Sequence, residues 1–202
     1  MRITSIVLAL GVLGGCATRP AADPSVDPSL GSSPVATEAE VQAASERLTL
    51  SVRGQAWRDV LVDGARLHGA GHELSHFDDG YRGSSPRGFL FLSEPEPGTV
   101  SGVIGNGAIT RVDYLVESSG HIHAQGRWAS KKFGLEIDKD TIAVSSRFCT
   151  DTYRRIDESS DVFSGSPSCW QAGRAGAQLQ VPDTFFARPP GEQVVFLSAF
   201  LL

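Results

Sequence analysis

Histidine is scarce in this chain, five in 202 residues, so the spacing of its histidines carries information. His72-Glu73-Leu74-Ser75-His76 has the form His-Glu-x-x-His. On a helix, residues four apart share a face. His72 and His76 would then grip one zinc ion while Glu73 polarises an attacking water. A second pair, His121-Ile122-His123, has the alternate spacing that puts two imidazoles on one side of a strand, about 7 Å apart. A third ligand could come from His72 or His76 across the sheet; the alternative is two solvent-facing histidines beside the Ser-Ser-Gly turn. The favoured expectation is no cofactor, with zinc the alternative that these histidine sets would bind.

Which chemistry follows depends on the element that carries HELSH. As a helix, the segment resembles the zincin metallopeptidases over these five residues, and that resemblance implies a zinc hydrolase with His72 and His76 as ligands and Glu73 as base. The surroundings depart from that family. Gly69 and Gly71 stand where a helical turn should precede the motif, and each glycine costs about 1 kcal/mol in a helix interior. Asp79 and Arg82 occupy the positions where the metzincin branch has glycine and a third histidine. Glu94 and Glu96 lie in a Pro-rich turn, and Glu117 closes a strand, so no second helix offers the gluzincin glutamate. As a strand, the segment places His72 and His76 about 13 Å apart, too far to share one ion. No Gly-x-Ser-x-Gly elbow, Ser-x-x-Lys or phosphate-binding loop occurs.

The elements that must position these residues begin after an atypical N-terminus. MRITSIVLALGVLGGCATRP has one basic residue, Arg2, an apolar run from Ile3 to Leu13, and then Leu13-Gly14-Gly15-Cys16. The run is too short to span a bilayer as a helix, which takes about 20 residues, and reads as a targeting segment. Leu13-Gly14-Gly15-Cys16 resembles the lipobox of bacterial outer-membrane lipoproteins. That resemblance implies a signal peptide over 1–15, cleavage before Cys16 and a diacylglycerol on its sulfur. With Ala17 rather than an acidic residue next, it implies an outer-membrane destination, the protein facing the periplasm or the cell surface.

Cysteine arithmetic agrees. Of three cysteines, assigning Cys16 to lipid leaves Cys149 and Cys169 as a disulfide pair or as two buried thiols. Residues 16–44 form a tether rich in Pro, Ala, Ser and Asp, which cannot bury enough surface to offset its ordering entropy. Within it Thr37 to Glu40 makes a capping box, and EVQAASERL predicts a short helix. With the leader removed, 18 − 1 = 17 basic residues face 23 acidic ones. The sequence shows no Lys/Arg cluster, which argues against nucleic acid and against a basic lipid-binding patch.

Residues 45–202 read as one β-rich domain, mainly β, an antiparallel sandwich or a small barrel. Asp63-Gly64 is a hairpin dipeptide between two apolar runs. GFLFL, TVSGVI, AITRVDYLV, HIHAQGRW and LEIDKDTIAV are strand candidates. Pro95-Glu96-Pro97-Gly98, Gly105-Asn106-Gly107 and Ser118-Ser119-Gly120 punctuate them. QVVFLSAFLL predicts a final central strand. Trp57, Trp128 and Trp170 are expected in or over the core, and no internal repeat is visible.

Three functional classes follow. The favoured one is a membrane-anchored envelope lipoprotein whose non-catalytic domain binds an envelope protein or ligand. The others are the zinc hydrolase of His72, Glu73 and His76, with or without His121 and His123, and a barrel holding an apolar ligand.

Overall fold

The structure, a computed structural model, describes residues 45–165 and 176–202. Among them the strands run in chain order as β1 (Glu46–Val52), β2 (Gln55–Asp63), β3 (Arg66–Gly69), β4 (His72–Phe77), β5 (Gly80–Ser85), β6 (Gly88–Glu96) and β7 (Thr99–Ile104). They continue as β8 (Ala108–Val116), β9 (Ile122–Trp128), β10 (Lys131–Ile137), β11 (Thr141–Ser146), β12 (Cys149–Arg155), β13 (Val162–Gly165) and β14 (Ala177–Gln180). A 3-10 turn (Asp183–Ala187) and one helix, α1 (Pro190–Leu201), follow.

Each strand pairs antiparallel with its sequence neighbours, and β1 pairs with β14 to close the ring, Leu50 opposite Leu179 and Val52 opposite Ala177. The fold is therefore a barrel rather than a sandwich. The β2–β3 turn lies one residue later than the sequence suggests: Asp63 ends β2 opposite Arg66, and the two turn residues are Gly64, at φ 53°, and Ala65. LEIDKDTIAV is two strands, not one. Asp138 breaks it, its carboxylate accepting the N–H groups of Asp140 at 2.7 Å and Thr141 at 2.6 Å.

Alternation along the strands sends Leu48, Leu74, Leu90, Val112, Leu135 and Phe163 inward, all at most 1 % exposed. Their neighbours outside are mostly polar. This is the reverse of a membrane-spanning barrel, whose apolar band faces lipid.

α1 fills the interior. Gly191 through Leu201 are buried on every side, including Val194, Phe196, Leu197 and Phe200 at 0 % exposure. The expected terminal strand is thus a helix, and closure of the ring gives the reason. A closed barrel has no free edge, so a further segment finds no ladder to join. Inside an apolar lumen its backbone must satisfy itself, which a helix does. Pro190 at the first helical position pre-sets φ for that start. A helix buried all round carries no 3.6-residue period, and so it looked like a strand.

The two helix ends meet opposite charges, as the macrodipole demands. At the N-terminus Glu192 lies in the first turn, and a Cβ on Gly191 would stand 2.6 Å from Glu94 Oε2, so glycine here leaves room for that carboxylate where it stands. At the C-terminus Arg58 donates to Phe200 O, and Arg87 Nη2 lies 3.5 Å from Leu202 O.

The described part of EVQAASERL, residues 45–48, holds no helix: from Glu46 on it is strand, Glu46 pairing with Val62 and Leu48 with Val60, and this pairing overrides local helix preference. The rest of that stretch, the leader and the tether lie outside the described residues.

Three glycines make the same close approach to the neighbouring strand. On the alternate strands β5, β7 and β9, Tyr81-x-Gly83, Val100-x-Gly102 and Ala124-x-Gly126 share one geometry. A Cβ at each glycine would sit 1.8, 1.9 and 2.0 Å from the carbonyl oxygens of Glu73, Phe91 and Arg111.

Candidate metal centre and outer-face groove

The HELSH residues lie on β4 and the motif is not helical. Gly69, Ala70 and Gly71 at φ 121°, 48° and 79° form the turn that delivers the chain into that strand. His72 and His76 share the inward side with buried Leu74, whereas Glu73 is exposed on the outside, opposite His68 and Ser84. The supposed base and ligands thus occupy opposite faces, and the histidines approach opposite ends of α1.

His76 Nδ1 lies 2.7 Å from Glu192 Oε1, at the helix N-terminus, its ring stacked 4.5 Å from Tyr81. Glu192 Oε2 accepts from Arg188 at 3.0 Å, and Arg188 Nε donates to Glu46 Oε2 at 2.7 Å. Nearby, Tyr114 donates to Glu94; burial and then that bond push the phenol up to about 12. His72 stands near the other end, by Arg58 and Arg87. Burial, then the Arg58 guanidinium, lower its pKa, favouring a neutral ring. His76 ties the wall to the helix, and His72 lies beside its far end near Ala199 and Leu202.

His121 and His123 belong to a different arrangement. The β8–β9 turn brings Glu117 back beside them: Glu117 N donates to His121 O at 2.8 Å, and Gly120 N to Glu117 O at 2.9 Å. Glu117 Oε1 lies 3.0 Å from His123 Nε2, and the two imidazole centroids are 4.1 Å apart. One ligand atom from each of Glu117, His121 and His123 falls within 4.8 Å of the other two. Asp138 Oδ2 is 3.9 Å from His121 Nε2, a second carboxylate close to the cluster but outside hydrogen-bond reach. The rings are closer than strand spacing implies because His121 precedes β9, which starts at Ile122. The third group is Glu117 rather than His72 or His76. Its signal was present: Glu117 and His121 bracket the Ser-Ser-Gly turn, so any hairpin there brings them together.

Two nitrogens and a carboxylate oxygen, half exposed, suit a borderline divalent ion such as zinc with positions left for water or a partner's ligand.

His123 also lines an open groove of about 830 Å³ over β8–β12. Its floor is low because Gly134 and Ala143 face outward; a Cβ at Gly134 would meet Ser145 Oγ at 2.7 Å. Gln125, Glu136, Thr152 and Arg154 line it with hydrogen-bonding groups.

Cys149 opens β12 with its Sγ 2.9 Å from Ser146 Oγ. Cys169, Trp170 and Cys16 lie outside the described residues. Trp128 is buried at 5 % exposure, in the core as expected, whereas Trp57 is 44 % exposed. No protein-family model matches the chain, and neither does any curated protein or solved structure.

Proposed function

We propose that this protein is a non-catalytic, membrane-tethered binding domain of the bacterial cell envelope, an outer-membrane lipoprotein held by acyl chains on Cys16. The observation that carries the binding half of this reading is the filled lumen. α1 occupies the space in which a barrel of this kind would carry an apolar ligand, and β4 presents Glu73 away from His72 and His76. What remains available to a partner is the outer wall, where the polar groove over β8–β12 lies. A closed ring with no free edge supports such a role, because it presents a fixed surface without inviting strand addition. A Cys149–Cys169 bridge, permitted in an oxidising periplasm, belongs to the same reading.

The tether is tested in cells fed labelled palmitate. The wild-type protein takes up label and fractionates with membranes, and Cys16→Ser loses both properties. Unlabelled wild-type protein recovered in the soluble fraction would end this reading.

A metal-dependent form of that binding surface is the second reading, favoured by the Glu117, His121 and His123 cluster beside the groove. Zinc titration followed by calorimetry gives one site on the wild-type chain. His123→Ala and Glu117→Gln each weaken it by about tenfold or more, since each removes one of three protein ligands. Wild-type affinity in His123→Ala excludes this centre.

A further inference from the structure

Sheet register assembles a surface that the linear sequence scatters. On the outside of the barrel, Phe91 of β6 pairs with Val103 of β7, and Val103 with Ile109 of β8, giving an unbroken apolar row across three strands. Phe89 stands two residues before Phe91 on the same face. These four side chains are 73 % (Phe89), 53 % (Phe91), 40 % (Val103) and 60 % (Ile109) exposed, a contiguous patch of the kind that marks an interaction site.

The neighbouring row on the same strands is basic. Ser101 of β7 pairs with Arg111 of β8, Arg111 with Arg127 of β9, and Arg127 with Lys132 of β10. Arg82 of β5 extends the apolar row at its other end, opposite Phe91. Three cations set directly opposite one another across adjacent strands repel, which costs stability. Asp113 lies 3.4 Å from Arg111 and relieves one end of the row. Among the described residues Arg127 and Lys132 have no acidic partner. In a chain of net charge −5 such a cluster is not a by-product of composition.

We propose that this face lies on an anionic phospholipid bilayer. The inference rests on the tethered-lipoprotein reading for its setting, but its physical basis is separate. A bilayer surface is stratified, with acyl chains below a layer of phosphates. Phe89, Phe91, Val103 and Ile109 would enter the acyl boundary while Arg82, Arg111, Arg127 and Lys132 meet the phosphates beside it. A second copy of the chain is a poorer occupant, because a two-fold contact would set the same basic row against itself. Contact through this face would leave the groove over β8–β12 at the margin of the membrane rather than beneath it, since Gln125 and Gly134 form the next row beyond Arg127 and Lys132. A sequence read along the chain shows no Lys/Arg cluster because the cluster forms only across the sheet. Arg111, Arg127 and Lys132 are separated along the chain and adjacent only across the sheet.

The test uses the full chain synthesised without membranes, hence unacylated, sedimented with vesicles. One set is pure phosphatidylcholine and the other contains about one third phosphatidylglycerol, enough to supply a negative surface potential. The wild-type chain binds the anionic set more tightly, and added salt weakens that preference. Arg127→Gln/Lys132→Gln lowers anionic binding by about 25-fold, near fivefold for each cation removed. Phe89→Ser/Phe91→Ser lowers binding to both vesicle types. The leader contributes equally to every variant, so differences report the face, and these exposed substitutions leave the thermal midpoint unchanged. Equal binding to the two vesicle types, or unaltered binding in Arg127→Gln/Lys132→Gln, overturns the proposal. In that event the palmitate experiment on Cys16 still stands by itself, so loss of this contact and loss of the tether are told apart.

Discussion

Replacing Phe196 with alanine lowers the unfolding free energy by about 3–5 kcal/mol, the range for truncating a fully buried aromatic side chain. Phe196 is the central plug of the molecule, 0 % exposed, meeting Tyr81 edge-on at 6.3 Å between centroids. Tyr81 in turn stacks on His76, so the ring lies in a column running from the helix to the wall. The loss combines the transfer energy of the ring with the cavity left behind. A closed barrel relaxes poorly into such a cavity, because its strands are held on both sides by ladder hydrogen bonds. Domains of this size are stable by about 5–15 kcal/mol, so the variant sits near the edge of folding at 37 °C. Urea unfolding followed by far-ultraviolet circular dichroism measures the difference at unchanged m-value. A loss below about 1 kcal/mol would place Phe196 in solvent and α1 outside the lumen.

The elements that the sequence made legible are those written locally. Asp63-Gly64 marks the place of its turn to within one residue, Gly64 and Ala65 being the residues that turn, and strand alternation in GFLFL or AITRVDYLV needs only its own window. Closure was illegible because it joins Leu50 to Leu179, partners that no short window contains. α1 was illegible for a different reason: the apolar lumen accepts apolar residues at every angle, which erases the period by which helices are recognised. HELSH illustrates the converse, a local pattern with a strong chemical meaning on a helix and none on a strand. Of the candidate centre, the His121 and His123 pair was visible from alternate spacing. In the sequence Glu117 stands at a strand end, and only the turn folds it back beside the pair. The basic row is hidden in the sequence because Arg111, Arg127 and Lys132 adjoin only across strands.

Arg188→Met is the second change with a large expected cost, about 3–5 kcal/mol, because it strands two buried carboxylates. Arg188 is 14 % exposed, Glu46 9 % and Glu192 8 %, and the guanidinium bonds both acids while donating to Gly64 O at 2.6 Å. It thus ties β1, the β2–β3 turn and the first turn of α1 together at one end of the barrel. The question is whether these ions stabilise the fold or only tolerate one another. Removing one partner leaves uncompensated charge in a poorly solvated site, whereas removing all the charges together leaves none. Arg188→Met/Glu46→Gln/Glu192→Gln therefore recovers most of the stability lost in Arg188→Met, although each added substitution alone is destabilising. His76 keeps a hydrogen-bonding neighbour in the amide of Glu192→Gln, so the helix N-terminus remains attached to β4. Chemical denaturation of the single, double and triple variants gives the coupling energies. A triple variant as unstable as the sum of its parts would show that the network's hydrogen-bond geometry, rather than the balance of charge, holds the helix in place.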